Sequence, residues 1–332
     1  MGWWQVSADT LAGSRFVLSP LAETFASLRV LHSGAGGHPG EQAWLRAHLP
    51  GYRERIAADP VSALLVRAGL GRDWIADFLT PVPYDGESFA EGLARVRAAD
   101  PRDARAQLRR SLAGPLPAAL DRDDLPGRAA DLLEYVWAEA VRPYWARRRR
   151  VLEADVVART AQVGRGGWAA ALDGLRPGRT RWLGGNRLQV NLHAHPPREI
   201  SGATLVLVPV TAHATGWLSW EEPERYAVVY PCAGALAHAD PVPTGLAALL
   251  GGARATVLTL LGSPMSTTQL VAVTGQGLGS VGRHLRVLLD AGLVTRRRAG
   301  RSVLYARTAA GDALVEAGRG GGGGHEGVTR RG

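Results

Sequence analysis

Gly279, Ser280, Arg283, His284 and Arg286 recur at helical spacing in one short stretch, and Arg296, Arg297, Arg298 and Arg301 follow soon after. Small residues let a backbone come close to a polyanion, while guanidinium groups make forked hydrogen bonds to guanine edges and phosphate oxygens. The chemistry on offer is nucleic-acid contact. A second candidate set is His193, His195 and Glu199. Alternate residues of a strand share a face, so two imidazoles and a carboxylate could ligate zinc. The competing reading is a polar strand end ahead of Pro196-Pro197, since neither a His-Glu-x-x-His helix nor a Gly-x-Ser-x-Gly elbow occurs anywhere. No catalytic residue, metal or cofactor is therefore expected. The alternative is an enzyme or metal-binding protein using those three residues and carrying an accessory DNA-binding module.

Residues 278–291 must form the element that positions the first set. At 100° per residue, Val281, Leu285, Leu288 and Leu289 cluster within about 100° of arc, joined by Leu278, and are predicted to face a core. Gly279, Ser280 and Arg283 lie opposite, flanked by Arg286 and Val287, and Gly292 closes the helix. Ser266-Thr267-Thr268-Gln269 fits a capping box, and Leu270 and Val273 complete a short helix stopped by Gly275. Two short helices joined by a glycine-containing turn make a helix-turn-helix. Upstream, Leu246 to Leu261 trace one or two amphipathic helices ending at Gly262. Downstream, residues 294–306 read as a hairpin with a two-residue loop at Ala299-Gly300, a wing whose tip carries arginines toward phosphate. The candidate DNA contacts are Ser266, Thr267, Gln276, Gly279, Ser280, Arg283, His284, Arg286, Arg297, Arg298, Arg301, Ser302 and Tyr305.

Charge follows the same map. All 39 basic residues are arginine, against 30 acids. Eight of those arginines fall between Thr244 and Thr308 with one acid, Asp290, so that stretch carries +7 of the chain's net +9. A field concentrated in so short a segment is the footprint of a polyanion partner.

With 332 residues, 46% of them hydrophobic, the chain has room for roughly two globular domains. Its one cysteine, Cys232, excludes an intrachain disulfide. The start lacks the basic and apolar regions of a signal peptide, and no clean apolar run is long enough to span a bilayer, so a cytoplasmic protein without membrane contact is expected. Prolines 241 and 243 mark a linker. The expected organisation is residues 1–240, a DNA-binding domain at 241–317, and a glycine-rich disordered tail at 318–332.

In the first domain, helices are predicted at 20–30, 61–68, 89–99, 103–112, 128–140 and 151–162, after a short strand at 3–6. Residues 187–192 alternate as a strand with one wet face, and Thr204–Val208 and Tyr226–Tyr230 read as buried strands. Trp168, Trp182, Trp217 and Trp220 are expected in the core rather than around a ligand pocket. Arg147 to Arg150 are expected on a solvated helix face. The fold class is α+β, a mostly helical N-terminal domain with a small sheet, followed by a C-terminal winged helix-turn-helix.

The stretches Ser266–Gly275, Ser280–Val294 and Arg297–Tyr305 together resemble the winged helix-turn-helix of ArsR-type bacterial transcription regulators. Ser7 to Pro20 and the strand ending Val229-Tyr230-Pro231 are similar to the actinobacterial subgroup that joins such a reader to a long N-terminal domain. The resemblance implies a homodimer on a pseudo-palindromic double-stranded operator, usually a repressor. The N-terminal domain, whose role the resemblance does not supply, is expected to sense a small-molecule effector, contact a partner or strengthen the dimer. Two departures stand out. Gly282 replaces the serine of the family's Val-Ser-x-His-Leu pattern. The positions that hold metal ligands in metal-sensing members, Gln269–Val273 and Asp312–Glu316, offer no cysteine or histidine.

Overall fold

The structure, a computed structural model, describes residues 2–320 apart from 37–38, 72, 174, 177–178, 193–195, 213–215, 222–223, 233–241, 263, 275 and 300–301. The chain divides into two compact units, Met1–Ala233 and Gly234–Gly332. The sequence reading puts the division at 240/241, and those linker residues lie outside the described ones. Among the described residues no helix is long and apolar enough to cross a membrane.

The first unit runs β1 (Gly2–Gln5), α1 (Ala8–Ala12), β2 (Arg15–Phe16), α2 (Pro20–Ser33), α3 (Pro39–Ala58), α4 (Pro60–Gly69), α5 (Phe89–Arg97), α6 (Pro101–Leu112), α7 (Leu125–Val136) and α8 (Trp145–Leu172). It continues as β3 (Arg181–Gly184), β4 (Arg187–Asn191), β5 (Arg198–Glu199), β6 (Thr204–Val210), β7 (Trp217–Glu221) and β8 (Arg225–Pro231). Three helices start the same way. Ser19, Asp59 and Asp100 each precede a proline at the first helical position and accept a first-turn amide, from Ala22 at 3.1 Å, Ser62 at 3.1 Å and Arg102 at 2.7 Å. Proline loses nothing there, because that amide has no partner within the helix.

Helix α3 escapes the sequence reading because Pro50-Gly51 looks like a break. Trp44 and Leu45 before the proline and Tyr52 after it are buried in one cluster. Burying three such side chains is worth roughly 1.5–3 kcal/mol each, which exceeds the ~3 kcal/mol that an interior proline costs.

The expected single small sheet is in fact two four-stranded sheets, ordered β3-β4-β1-β5 and β2-β6-β8-β7. Gly185 and Asn186, both at φ 57°, supply the two left-handed residues that a tight turn between β3 and β4 requires. In the second sheet β6 lies parallel to β8, with both faces covered. Val206, Val208 and Val210 enter the helical core, while Leu205 and Leu207 enter a second core shared with Leu188 and Val190 of β4. Ala227 and Val229 of β8 alternate with Tyr226, Val228 and Tyr230 in the same way. The wet face expected for β4 is absent at its centre, where Gln189 is buried and its amide donates to the Arg179 carbonyl at 3.2 Å.

The arginine run of α8 departs from its expected solvated face at two positions: Arg147 is half-buried, and burial pulls its guanidinium below its ordinary value, while Arg148 is fully enclosed. Arg149 and Arg150 are exposed, but Arg148 is 1% exposed. Its Nη1 donates to Glu23 Oε1 and to Ser27 Oγ, both at 2.7 Å, and its guanidinium lies over the Trp44 ring.

The second unit comprises α9 (Thr244–Leu250), α10 (Gly252–Leu260), β9 (Met265–Ser266), α11 (Thr267–Thr274), α12 (Leu278–Asp290), β10 (Val294–Ala299), β11 (Ser302–Arg307) and α13 (Ala309–Gly320). Gly251, at φ 77°, breaks the upstream amphipathic stretch into two helices. The strands form an antiparallel sheet in the order β10-β11-β9. Three residues assigned to the tail, 318–320, are helical. A Cβ at Gly318 would stand 3.1 Å from that of Pro243 and 3.2 Å from that of Leu246, so glycine lets α13 lie against α9.

Candidate nucleic-acid interface

Helix α11 begins with the anticipated capping box. The Ser266 amide donates to Gln269 Oε1 at 2.7 Å, and the Gln269 amide donates to Ser266 Oγ at 3.3 Å. Met265 and Ser266 also pair with Tyr305 and Leu304, which ties the start of α11 to the wing. Ser266 and the following Thr267 are half-buried there, and the Ser266 hydroxyl is occupied by the cap. Tyr305 is likewise half-buried against the core of this unit.

A polar ladder runs from the turn into α12. Ser280 Oγ donates to Gln276 Oε1 at 3.3 Å and lies 3.3 Å from His284 Nε2. Burial, and then the charges of Arg254 and Arg283, hold the His284 imidazole below its ordinary value, so it is neutral at pH 7. The ladder fixes these three side chains along one edge of the helix.

The apolar side of α12 is as expected for Val281, Leu285 and Leu288, which are buried, and for the half-buried Leu289. Leu278 departs from it and is 64% exposed. Its angle points toward the core side, but the first turn projects past the elements it would meet. The helix closes on Gly292, at φ 67°, with amides of Gly292 and Leu293 donating to the carbonyls of Leu289 and Leu288.

Gly279, Gly282, Arg283 and Arg286 are all exposed and fall within about 100° of arc. A Cβ added at Gly279 or Gly282 meets nothing within 4 Å. This face is therefore open and low, with two guanidiniums rising from it and Leu278 at its edge. An exposed leucine there can meet a thymine methyl, a contact the helical angle alone did not reveal.

In the wing, β10 and β11 pair from Val294↔Arg307 to Ala299↔Ser302. Ala299 thus belongs to the strand rather than to the turn. Gly300 and Arg301 lie outside the described residues. Arg296, Arg297 and Arg298 are exposed, and strand alternation sends Arg297 to one face of the hairpin and Arg296 and Arg298 to the other.

The metal candidates are not brought into one described site. His193 and His195 lie outside the described residues. Glu199 is exposed on β5, where it accepts the Ser201 amide at 2.9 Å. Among the described residues no group of three or more His, Cys, Asp or Glu is arranged to hold a metal ion. All four tryptophans expected in the core are found there, Trp217 buried in the helical core and Trp168, Trp182 and Trp220 packed against the second one; Trp217 and Trp220 also line a cavity of about 400 Å³ in the N-terminal unit.

Residues 253–296 match the family described as bacterial regulatory protein, arsR family, a stretch covering α10 through the start of β10 and well under half of the chain. No curated protein and no solved structure matches the chain. The C-terminal unit carries an ArsR-type helix-turn-helix, the reading module of a DNA-binding transcription regulator.

Proposed function

We propose that this protein is a cytoplasmic, homodimeric repressor that places α12 in the major groove of a two-fold related operator and lays the β10–β11 wing on phosphate. The observation that carries this reading is the open face of Gly279, Gly282, Arg283 and Arg286, in a unit whose β10 strand also exposes Arg296, Arg297 and Arg298. A homodimer supplies two such helices, one per half-site, as operator symmetry requires. The N-terminal unit acts as a sensor of a small-molecule effector and not as a catalyst. It belongs, on this reading, to the long-domain actinobacterial subgroup.

Two substitutions test the assignment. Arg283→Ala removes a side chain suited to a guanine edge, so in footprinting and selection it relaxes base preference at one position per half-site, at roughly 1–3 kcal/mol, while random duplex binds as before. Equal losses on specific and random duplex would overturn the role of Arg283. Gly282→Ser restores a hydroxyl where the space is open. It raises helix propensity by about 0.5 kcal/mol and adds one hydrogen bond to phosphate, worth about 1 kcal/mol, so affinity for every duplex rises a few-fold.

A further inference from the structure

The cavity in the N-terminal unit combines two features that suit a small anionic ligand. Its volume of about 400 Å³ is ordinary for a small-molecule pocket. Its described lining holds five arginines, 29, 110, 176, 179 and 198, against two carboxylates, Asp73 and Asp77, and its walls include Trp3, Trp74, Trp217 and Trp220. The arginines come from α2, α6, β5 and the segment after α8, so nothing in the sequence groups them.

Three of these cations crowd one another. Burial and then the charges of Arg179 and Arg29 pull the Arg176 guanidinium down to about 10, and burial and then Arg179 lower Arg29. Arg176, at about 10, still carries its charge at pH 7. Arg176 is anchored, donating to the Val190 carbonyl at 3.0 Å and the Gly216 carbonyl at 3.1 Å. Neither carbonyl carries a compensating charge. Nη1 of Arg29 is buried with no hydrogen-bond partner among the described residues, its guanidinium 5.7 Å from the centre of the Trp217 ring. A buried donor left unpaired beside like charges is costly, and an oxyanion would relieve both costs at once.

Part of the lining is aromatic. Arg110 lies 3.5 Å from the Trp74 ring centre, Arg198 lies 4.4 Å from that of Trp220, and the two indoles meet edge to face at 5.0 Å. Such stacking holds the guanidinium planes in place and offers flat surface to a flat partner.

We infer that this cavity binds a small organic anion, a flat aromatic body carrying a carboxylate or phosphate, with the oxyanion held by Arg29, Arg176 and Arg179 and the ring against Trp74 and Trp220. This goes beyond the regulator reading and stands without it, because binding is measured in the absence of DNA.

An acid in the same lining gives the site a pH signature. Burial pushes the Asp77 carboxyl up to about 6, against the opposing pull of Arg110 on α6, a hydrogen bond from Trp74 and the charge of Arg198 on β5. As pH falls from about 7.5 to about 5.5, Asp77 takes up a proton and the cavity becomes more positive. A ligand carboxylate, with an ordinary value near 4, stays ionised over that window. Carboxylate binding therefore strengthens a few-fold.

Calorimetric titration of the full chain with indole-3-carboxylate, 1-naphthyl phosphate and the uncharged indole-3-carboxamide tests the inference. At least one oxyanion is expected to saturate below about 1 mM and to bind at least about tenfold more tightly than the carboxamide. Which of the two does so identifies the oxyanion. Arg29→Gln and the more exposed Arg179→Gln each weaken the oxyanion about tenfold and leave the carboxamide unchanged; Arg179→Gln keeps the test open should the first variant fold poorly. Asp77→Asn abolishes the pH dependence of indole-3-carboxylate binding, the probe whose own charge is constant over that window. Equal affinity for charged and uncharged probes, no saturation by either oxyanion, or an unaltered Arg179→Gln titration in folded protein overturns it.

Discussion

Replacing Arg297 and Arg298 together by glutamine lowers affinity for operator and random duplex by the same factor, about fiftyfold at ~0.1 M salt. Each phosphate contact contributes about 0.9 to the slope of log affinity against log salt, so losing two flattens that slope by about 1.8. The two side chains leave opposite faces of the hairpin, because they are adjacent on β10. The single variants therefore carry information that the double variant does not. If both guanidiniums straddle a phosphate strand at the wing tip, each single change flattens the slope by about 0.9. If one face alone meets DNA, one single variant accounts for the whole effect and the double variant flattens the slope by only about 0.9, against the expected 1.8. Salt titrations by fluorescence anisotropy on operator and scrambled duplex distinguish these outcomes. A loss confined to operator would remove the wing from the phosphate role and give it base readout instead.

Glu23→Gln destabilises the N-terminal unit by about 3–5 kcal/mol, the largest stability effect expected of a single change in this chain. The Glu23 carboxylate is 0% exposed, and it accepts from Arg148, from the Thr211 amide at 2.8 Å and from the Thr211 hydroxyl. Glutamine keeps the shape but leaves the Arg148 guanidinium buried without a countercharge. Arg148→Met leaves the carboxylate stranded in the same way, and the double variant recovers much of either loss, because the remaining methionine and amide need no ion pair. Urea unfolding followed by tryptophan emission reads the effect. All ten tryptophans lie at or before residue 220, so the signal reports the N-terminal unit alone. A single-variant loss below about 1 kcal/mol would mean that water reaches the pair and screens it.

The C-terminal reader was legible because its determinants are local. Ser266 and Gln269 are three residues apart and cap each other, and Gly292 ends the helix that Val281, Leu285 and Leu288 define. What failed there failed at ends. Leu278 sits where periodicity puts a core residue but where no neighbour arrives, and the exchange at Ala299↔Ser302 moved the turn by one position. Helix α13 runs into its glycines at 318 and 320, and at Gly318 the missing side chain lets it lie close to Pro243 and Leu246.

In the N-terminal unit the sequence by itself determined most helices, through proline and cap pairs such as Ser19-Pro20, and both central strands, through the apolar runs of β6 and β8. Only the tertiary structure decided what those elements bury together. One arginine in a run of four became a core residue because its carboxylate lies 125 positions away, and two residues at 15–16 became a strand because β6 lay beside them. The arginine-and-tryptophan cavity is the extreme case, assembled from Trp3 through Trp220. Periodicity reports which face of an element turns inward, whereas charge balance and enclosure depend on distant elements meeting, and a linear pattern carries no record of that meeting.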